Sequence, residues 1–204
     1  MIELPVGLPP ELVPLSWLIG VWEGSGVLDY AIGDEKITRE FGHRLSFSHD
    51  GLPFLNYNSY TWLEPEEGSE SDAKTPLATE TGYWRLHRQQ GDGDPGPGLL
   101  PARGEKPFAD AEAVETLRNA SGGFDIEVTL VHPGGVAELY LGQVAGPRID
   151  LATDAVVHSA TAKPYGAATR LYGLVENHLL WAWDIAALGQ GLRTHASGRL
   201  ARVE

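Results

Sequence analysis

Apolar and polar residues alternate with a period of two through most of this chain, and that alternation limits its fold more than any other feature. From Ile37 the odd positions read Ile37, Arg39, Phe41, His43, Leu45 and Phe47; toward the other end Leu179, Trp181, Trp183 and Ile185 alternate with Leu180, Ala182, Asp184 and Ala186. Successive side chains of a strand point to opposite faces, whereas a helix repeats its apolar residues at three and four, so the pattern predicts half-buried strands. Candidate strands are 18–29, 36–48, 54–63, 77–88, 113–119, 124–131, 136–143, 148–153, 165–175, 178–187 and 194–203. Turn signals such as "DGLP" (50–53), "HPGG" (132–135) and "AGPR" (145–148) separate them. About ten short strands without helical crossovers predict an all-β fold, an antiparallel sandwich or a single antiparallel up-and-down barrel with a ligand cavity, and the barrel leads because closure removes the exposed edges. The segment "ELVPLSWL" (11–18) predicts a short helical turn that closes the bottom of the barrel.

The 204 residues fit one domain, 1–204, with two interruptions. One is 64–75, which contains the acidic run "EPEEGSESD"; the other is 89–112, "QQGDGDPGPGLLPARGEKPFADAE". Their Gly, Pro and acidic content cannot sustain a strand ladder, and both are expected to be flexible insertions that add solubility.

Three absences narrow the chemistry. Without cysteine there are no disulfides, thiolate metal sites, iron–sulfur clusters or cysteine nucleophiles, so any metal must be held by histidine or carboxylate. A formal charge of −13 argues against nucleic acid as a partner, since its backbone is bound by clustered Lys and Arg. No apolar run approaches the roughly 18 residues of a membrane span, and no basic segment followed by an apolar one opens the chain, so a cytoplasmic protein without a membrane partner is expected.

The seven histidines are 43, 49, 87, 132, 158, 178 and 195, and none forms a His-x-His or His-Glu-x-x-His pair. A zinc site of the hydrolase type is therefore unsupported. One histidine would suffice for haem, whose porphyrin supplies four equatorial ligands. His43 shares the odd-numbered face of its strand and is expected to point inward. Ser25 lies in "GSG" but lacks the Gly-x-Ser-x-Gly elbow, and no Gly-Lys-[Ser/Thr] phosphate loop is present.

"GVWEGSG" (20–26) sets Gly20, Gly24 and Gly26 around Trp22 in the first strand. Glycine weakens a strand unless a bend or a close approach needs the missing Cβ, so these positions are expected to serve barrel curvature and the approach of a flat cofactor. Trp22 reads as a floor plug, with Arg202 or Arg199 of the last strand placed as a cation over its ring.

Four stretches together resemble the nitrobindins, a family of fatty-acid-binding-protein-like barrels: "LIGVWEGSG" (18–26), "GLPFLNYNSYTW" (51–62), "ETGYWRL" (80–86) and "THASGRLAR" (194–202). A fifth, "ATAKPYG" (160–166), is similar to another segment of that family, and "LDYAIGDE" (28–35) departs from its Tyr-Pro-Thr/Ser turn. The resemblance implies a barrel of about ten strands that binds ferric haem b, with an open, apolar distal side. It implies His195 as the proximal iron ligand and sole catalytic candidate, with Leu200 and Arg202 matching the residues that follow it. Lys163 would stand at the haem periphery, and Gly20, Trp22, Gly24 and Gly26 would form the wall beside the cofactor. The implied activities are isomerisation of peroxynitrite to nitrate and reversible binding of nitric oxide, in a monomer or homodimer. The alternative kept open is a non-catalytic barrel for a fatty acid or other small apolar ligand, with His195 incidental.

Overall fold

The computed structural model describes residues 7–32, 35–65, 73–187 and 191–203. Residues 66–72 of the expected insertion 64–75 lie outside them. Ten strands, β1 (Gly20–Ile32), β2 (Glu35–Ser48), β3 (Leu55–Leu63), β4 (Thr75–Leu86), β5 (Phe124–His132), β6 (Val136–Ala145), β7 (Arg148–His158), β8 (Tyr165–Val175), β9 (His178–Ala187) and β10 (Arg193–Arg202), form one closed antiparallel barrel. Each strand pairs with its neighbours in the chain, and β10 returns to β1 with Trp22 opposite Arg202 and Leu28 opposite Ala196. The all-β up-and-down barrel read from the alternation is the fold observed. Among the described residues no helix is long and apolar enough to cross a membrane.

Strand 113–119 is a correction. Residues Ala111–Val114 form one α-helical turn and Glu115–Leu117 a 3-10 turn. Asp110 caps the first by accepting from the Ala113 amide at 2.9 Å, and the Thr116 hydroxyl bonds back to the Ala113 carbonyl at 2.8 Å. A capping aspartate before "AEAVETL" satisfies the free amides of a helix start, which outweighs a weak alternation.

The floor is a 3-10 helix, Pro10–Leu18, as the helical-turn reading expected. Pro10 suits its first turn, where a missing N–H costs no hydrogen bond, and Leu12, Leu15 and Leu18 are completely buried beneath the strands. Trp22 stands on this floor: its indole N–H donates to the Leu18 carbonyl at 2.7 Å, and the Arg202 guanidinium lies 4.6 Å from its ring centre. Arg202 also donates to the Trp17 carbonyl at 2.8 Å, so one cation ties the last strand to both helix and plug.

The segment 89–112 packs against this same end. Arg88 donates to both carboxylate oxygens of Asp94 (2.6 and 2.8 Å) and to Glu11 of the 3-10 helix (3.1 Å), and all three side chains are nearly buried. The Phe108 ring lies 5.6 Å from the same guanidinium.

Candidate functional site

With one end plugged, the barrel opens at the other into a cavity of about 560 Å³, within the usual range for a small-molecule pocket. Its upper wall is largely apolar and aromatic, with Leu28 and Tyr30 of β1, Phe41 of β2, Leu77 of β4 and Trp183 of β9.

Below them lies a layer of buried polar groups. Arg170 of β8 donates to both oxygens of Glu80 on β4, at 2.6 and 2.8 Å, and to the Tyr140 hydroxyl at 3.0 Å. Tyr57 donates to Glu80 at 2.7 Å. Glu138 accepts from Tyr140 at 2.6 Å and from Tyr165, with His132 Nε2 at 2.7 Å. Burial alone would raise the Glu80 carboxyl, but Arg170's charge and hydrogen bonds outweigh it and bring the pKa down to about 2. Glu138 is likewise held below the ordinary range, burial being overcome by His132, Arg170 and the tyrosine hydroxyls. The layer is thus an ionised, internally satisfied network, the condition under which charges persist in a barrel interior. Glu80, His132 and Glu138 bring ligand-type atoms within 4.8 Å of one another, but Arg170 already holds their charge.

His43 faces inward, as its place on the odd face of β2 predicted. Its Nε2 pairs with the Ser59 hydroxyl at 2.8 Å, while Nδ1 has no partner among the described residues. Burial lowers its pKa to about 4, so the ring is neutral at pH 7.

His195 reaches the cavity through an irregularity of β10. The register against β9 shifts between Thr194 and Ala196, and both His195 and Ala196 line the pocket. Such bulges re-aim a side chain that strict alternation would turn outward. The imidazole sits between Tyr30, ring centres 5.4 Å apart, and the edge-on ring of Trp183 at 5.8 Å. Burial, then the charge of Arg193, lowers its pKa, which keeps the ring neutral at pH 7. Neither ring nitrogen is engaged in a hydrogen bond among the described residues.

Lys163, the other cavity residue singled out from sequence, is exposed at the rim with its ammonium unpaired among the described residues. Gly20, Trp22, Gly24 and Gly26 do not line the cavity. A Cβ on Gly24 would lie 2.3 Å from the Arg199 carbonyl oxygen, and one on Gly26 2.3 Å from that of Ser197 and 2.5 Å from the Phe41 ring. The space beside Gly24 and Gly26 is filled by β10 and Phe41, and Trp22 is engaged by the floor. Glu80, Arg170, Glu138, Ser59 and Tyr30 were not singled out as site residues. Period-two counting inward from Trp22 or Trp84 reaches Tyr30 and Glu80, but nothing in it announces that Glu80 meets Arg170, 90 residues away.

These residues fit a haem. A neutral imidazole with free nitrogens is the donor an iron needs, apolar and aromatic walls suit a flat macrocycle, and a rim lysine suits its carboxylates.

A model of the THAP4-like, heme-binding β-barrel domain matches residues 11–202. Peroxynitrite isomerase from Clavibacter michiganensis subsp. michiganensis is 68% identical over 204 residues, the full length of both chains. The protein of that name from Kocuria rhizophila is 53% identical, covering 100% of this chain and 96% of its own. The crystal structure of Rv2717c from M. tuberculosis superposes with a TM-score of 0.66 at 26% identity, covering 99% of this chain and all of the other.

Proposed function

The chain belongs to the THAP4-like heme-binding β-barrel family, the nitrobindins, and from that premise we propose that it is a peroxynitrite isomerase using ferric haem b. The observation that carries this reading is His195, a neutral and unpartnered imidazole presented at the mouth of an apolar cavity. His195 would hold the iron, Tyr30 and Trp183 fix the plane of its ring, and Lys163 would pair with a haem carboxylate. Bound haem would supply a Lewis-acidic centre for a peroxynitrite oxygen, or for nitric oxide. Leu28 and Phe41 give the cavity apolar walls, and the ionised network below is engaged, offering no free acid to divert the rearrangement to nitrate.

Absorption titration of the haem-free protein with ferric haem, run beside His195→Ala, tests the reading. The wild type is expected to give a saturable Soret band, and the variant to bind at least about 10-fold more weakly, since even loss of an outer partner costs a metal site about 10–100-fold. Stopped-flow decay of peroxynitrite should accelerate with the loaded wild type and far less with the variant. Equal haem binding by both would refute the assignment and favour a carrier of apolar ligands.

A further inference from the structure

We propose that Tyr30 is a self-nitration site, the one tyrosine that records peroxynitrite escaping isomerisation inside the cavity; this rests on the isomerase reading above. The chain has seven tyrosines, and their surroundings separate them. Tyr57, Tyr140 and Tyr172 are at most 2% exposed and their hydroxyls are engaged by Glu80, Glu138 and Arg170 respectively. Tyr165 commits its hydroxyl to buried Glu138. Tyr60 and Tyr83 are about half exposed, but on the outer face of the barrel. Tyr57 and Tyr172 also line the cavity, but among its tyrosines only Tyr30 touches His195 ring to ring, at 5.4 Å, and makes no hydrogen bond through its hydroxyl among the described residues.

The chemistry balances with peroxynitrous acid, which bound haem would gather into the cavity beside Tyr30, as the only other reactant. Homolysis of its O–O bond gives nitrogen dioxide and hydroxyl radical. The hydroxyl radical takes the hydrogen atom of the Tyr30 phenol, forming water and a tyrosyl radical. Nitrogen dioxide then forms a C–N bond at the ring carbon ortho to the phenolic oxygen, and the hydrogen displaced there returns to that oxygen. The sum is tyrosine plus peroxynitrous acid giving 3-nitrotyrosine plus water.

Trp183 is the competing ring, 5.8 Å from His195 on the other side. The Arg170 guanidinium stands 4.7 Å from the Trp183 ring centre, and a fixed cation over an aromatic face disfavours removing an electron from it. Tyr30 has no such cation over its ring among the described residues, so oxidation is directed to it.

The test is residue-resolved mass spectrometry after stepwise addition of peroxynitrite to haem-loaded protein, haem-free protein and haem-loaded Tyr30→Phe, with peroxynitrite decay followed in the same samples. In the loaded wild type, 3-nitrotyrosine is expected first at Tyr30 and ahead of Tyr60 and Tyr83. In the haem-free protein the order should reverse in favour of the exposed pair. Tyr30→Phe, which keeps the ring against His195, should lose the early nitration without moving it to Trp183. Accelerated decay with label on Tyr60, Tyr83 or Trp183 ahead of Tyr30, or equal Tyr30 labelling with and without haem, overturns the inference and leaves the isomerase reading standing. Decay no faster than in buffer removes both.

Discussion

At the level of single residues, the polar layer ties stability to protonation. Glu80 titrates near 2 instead of 4.5 because Arg170 outweighs its burial. A carboxylate depressed by folding contributes stability above its unfolded pKa and loses it as pH falls toward the folded value, here from about 4.5 to about 2. His43 acts with the same sign higher up. Its pKa falls from 6.5 to about 4 on burial, so between those values the unfolded chain binds a proton that the folded chain refuses. The thermal midpoint is expected to decline from pH 7 to 4 and again toward pH 2, with His43→Gln flattening the upper decline only. A variant that tracks the wild type from pH 7 to 4 would show that His43 has no part in it. The inward direction of His43 was legible in its alternation with Phe41 and Leu45. Its pairing with Ser59, like that of Glu80 with Arg170, was not, because strand register decides which distant residues share a layer.

Among elements, β1 and β10 carry the tightest constraints. The glycines of "GVWEGSG" were legible as geometric positions, but what fills them was not. A Cβ at Gly24 would meet the Arg199 carbonyl oxygen at 2.3 Å and the Leu200 Cα at 3.0 Å, backbone atoms of a paired strand that cannot swing aside. Gly24→Ala is therefore expected to cost about 1–3 kcal/mol in urea unfolding, the usual penalty of overpacking. Gly91→Ala, where an added Cβ meets nothing within 4 Å, should change stability by less than about 0.5 kcal/mol. Equal losses at both positions would mean that the β1–β10 contact yields more easily than its distances imply. The helical turns over 111–117 were misread as part of a strand because seven residues are too few to tell the two periods apart, and only the capping aspartate distinguishes them. The bulge that aims His195 was invisible for a similar reason, since alternation assumes an unbroken register.

At the scale of the whole molecule, the barrel has one sealed and one open end, and the seal extends beyond the 3-10 helix. Glycine and proline content showed that 89–112 could not join the sheet, but gave no sign that Asp94 would share Arg88 with Glu11. Asp94 is 3% exposed and Glu11 7%, so Arg88→Met strands two carboxylates away from water. Removing one partner of a buried ion pair costs about 3–5 kcal/mol, and a loss of that size is expected in denaturant unfolding of Arg88→Met. An unchanged midpoint would mean that the insertion is not fastened to the floor through this triad.

The ring of strands is closed by its first and last members, and the Val203 amide still donates to the Val21 carbonyl beyond the end of β10. During synthesis β1 emerges early and must wait, edge unpaired, until nine further strands have been made. His195 lies on the strand that ends that wait. A ribosome product interrupted before β10 lacks the seam together with the imidazole proposed to hold the iron, so on that proposal haem uptake would report a closed barrel.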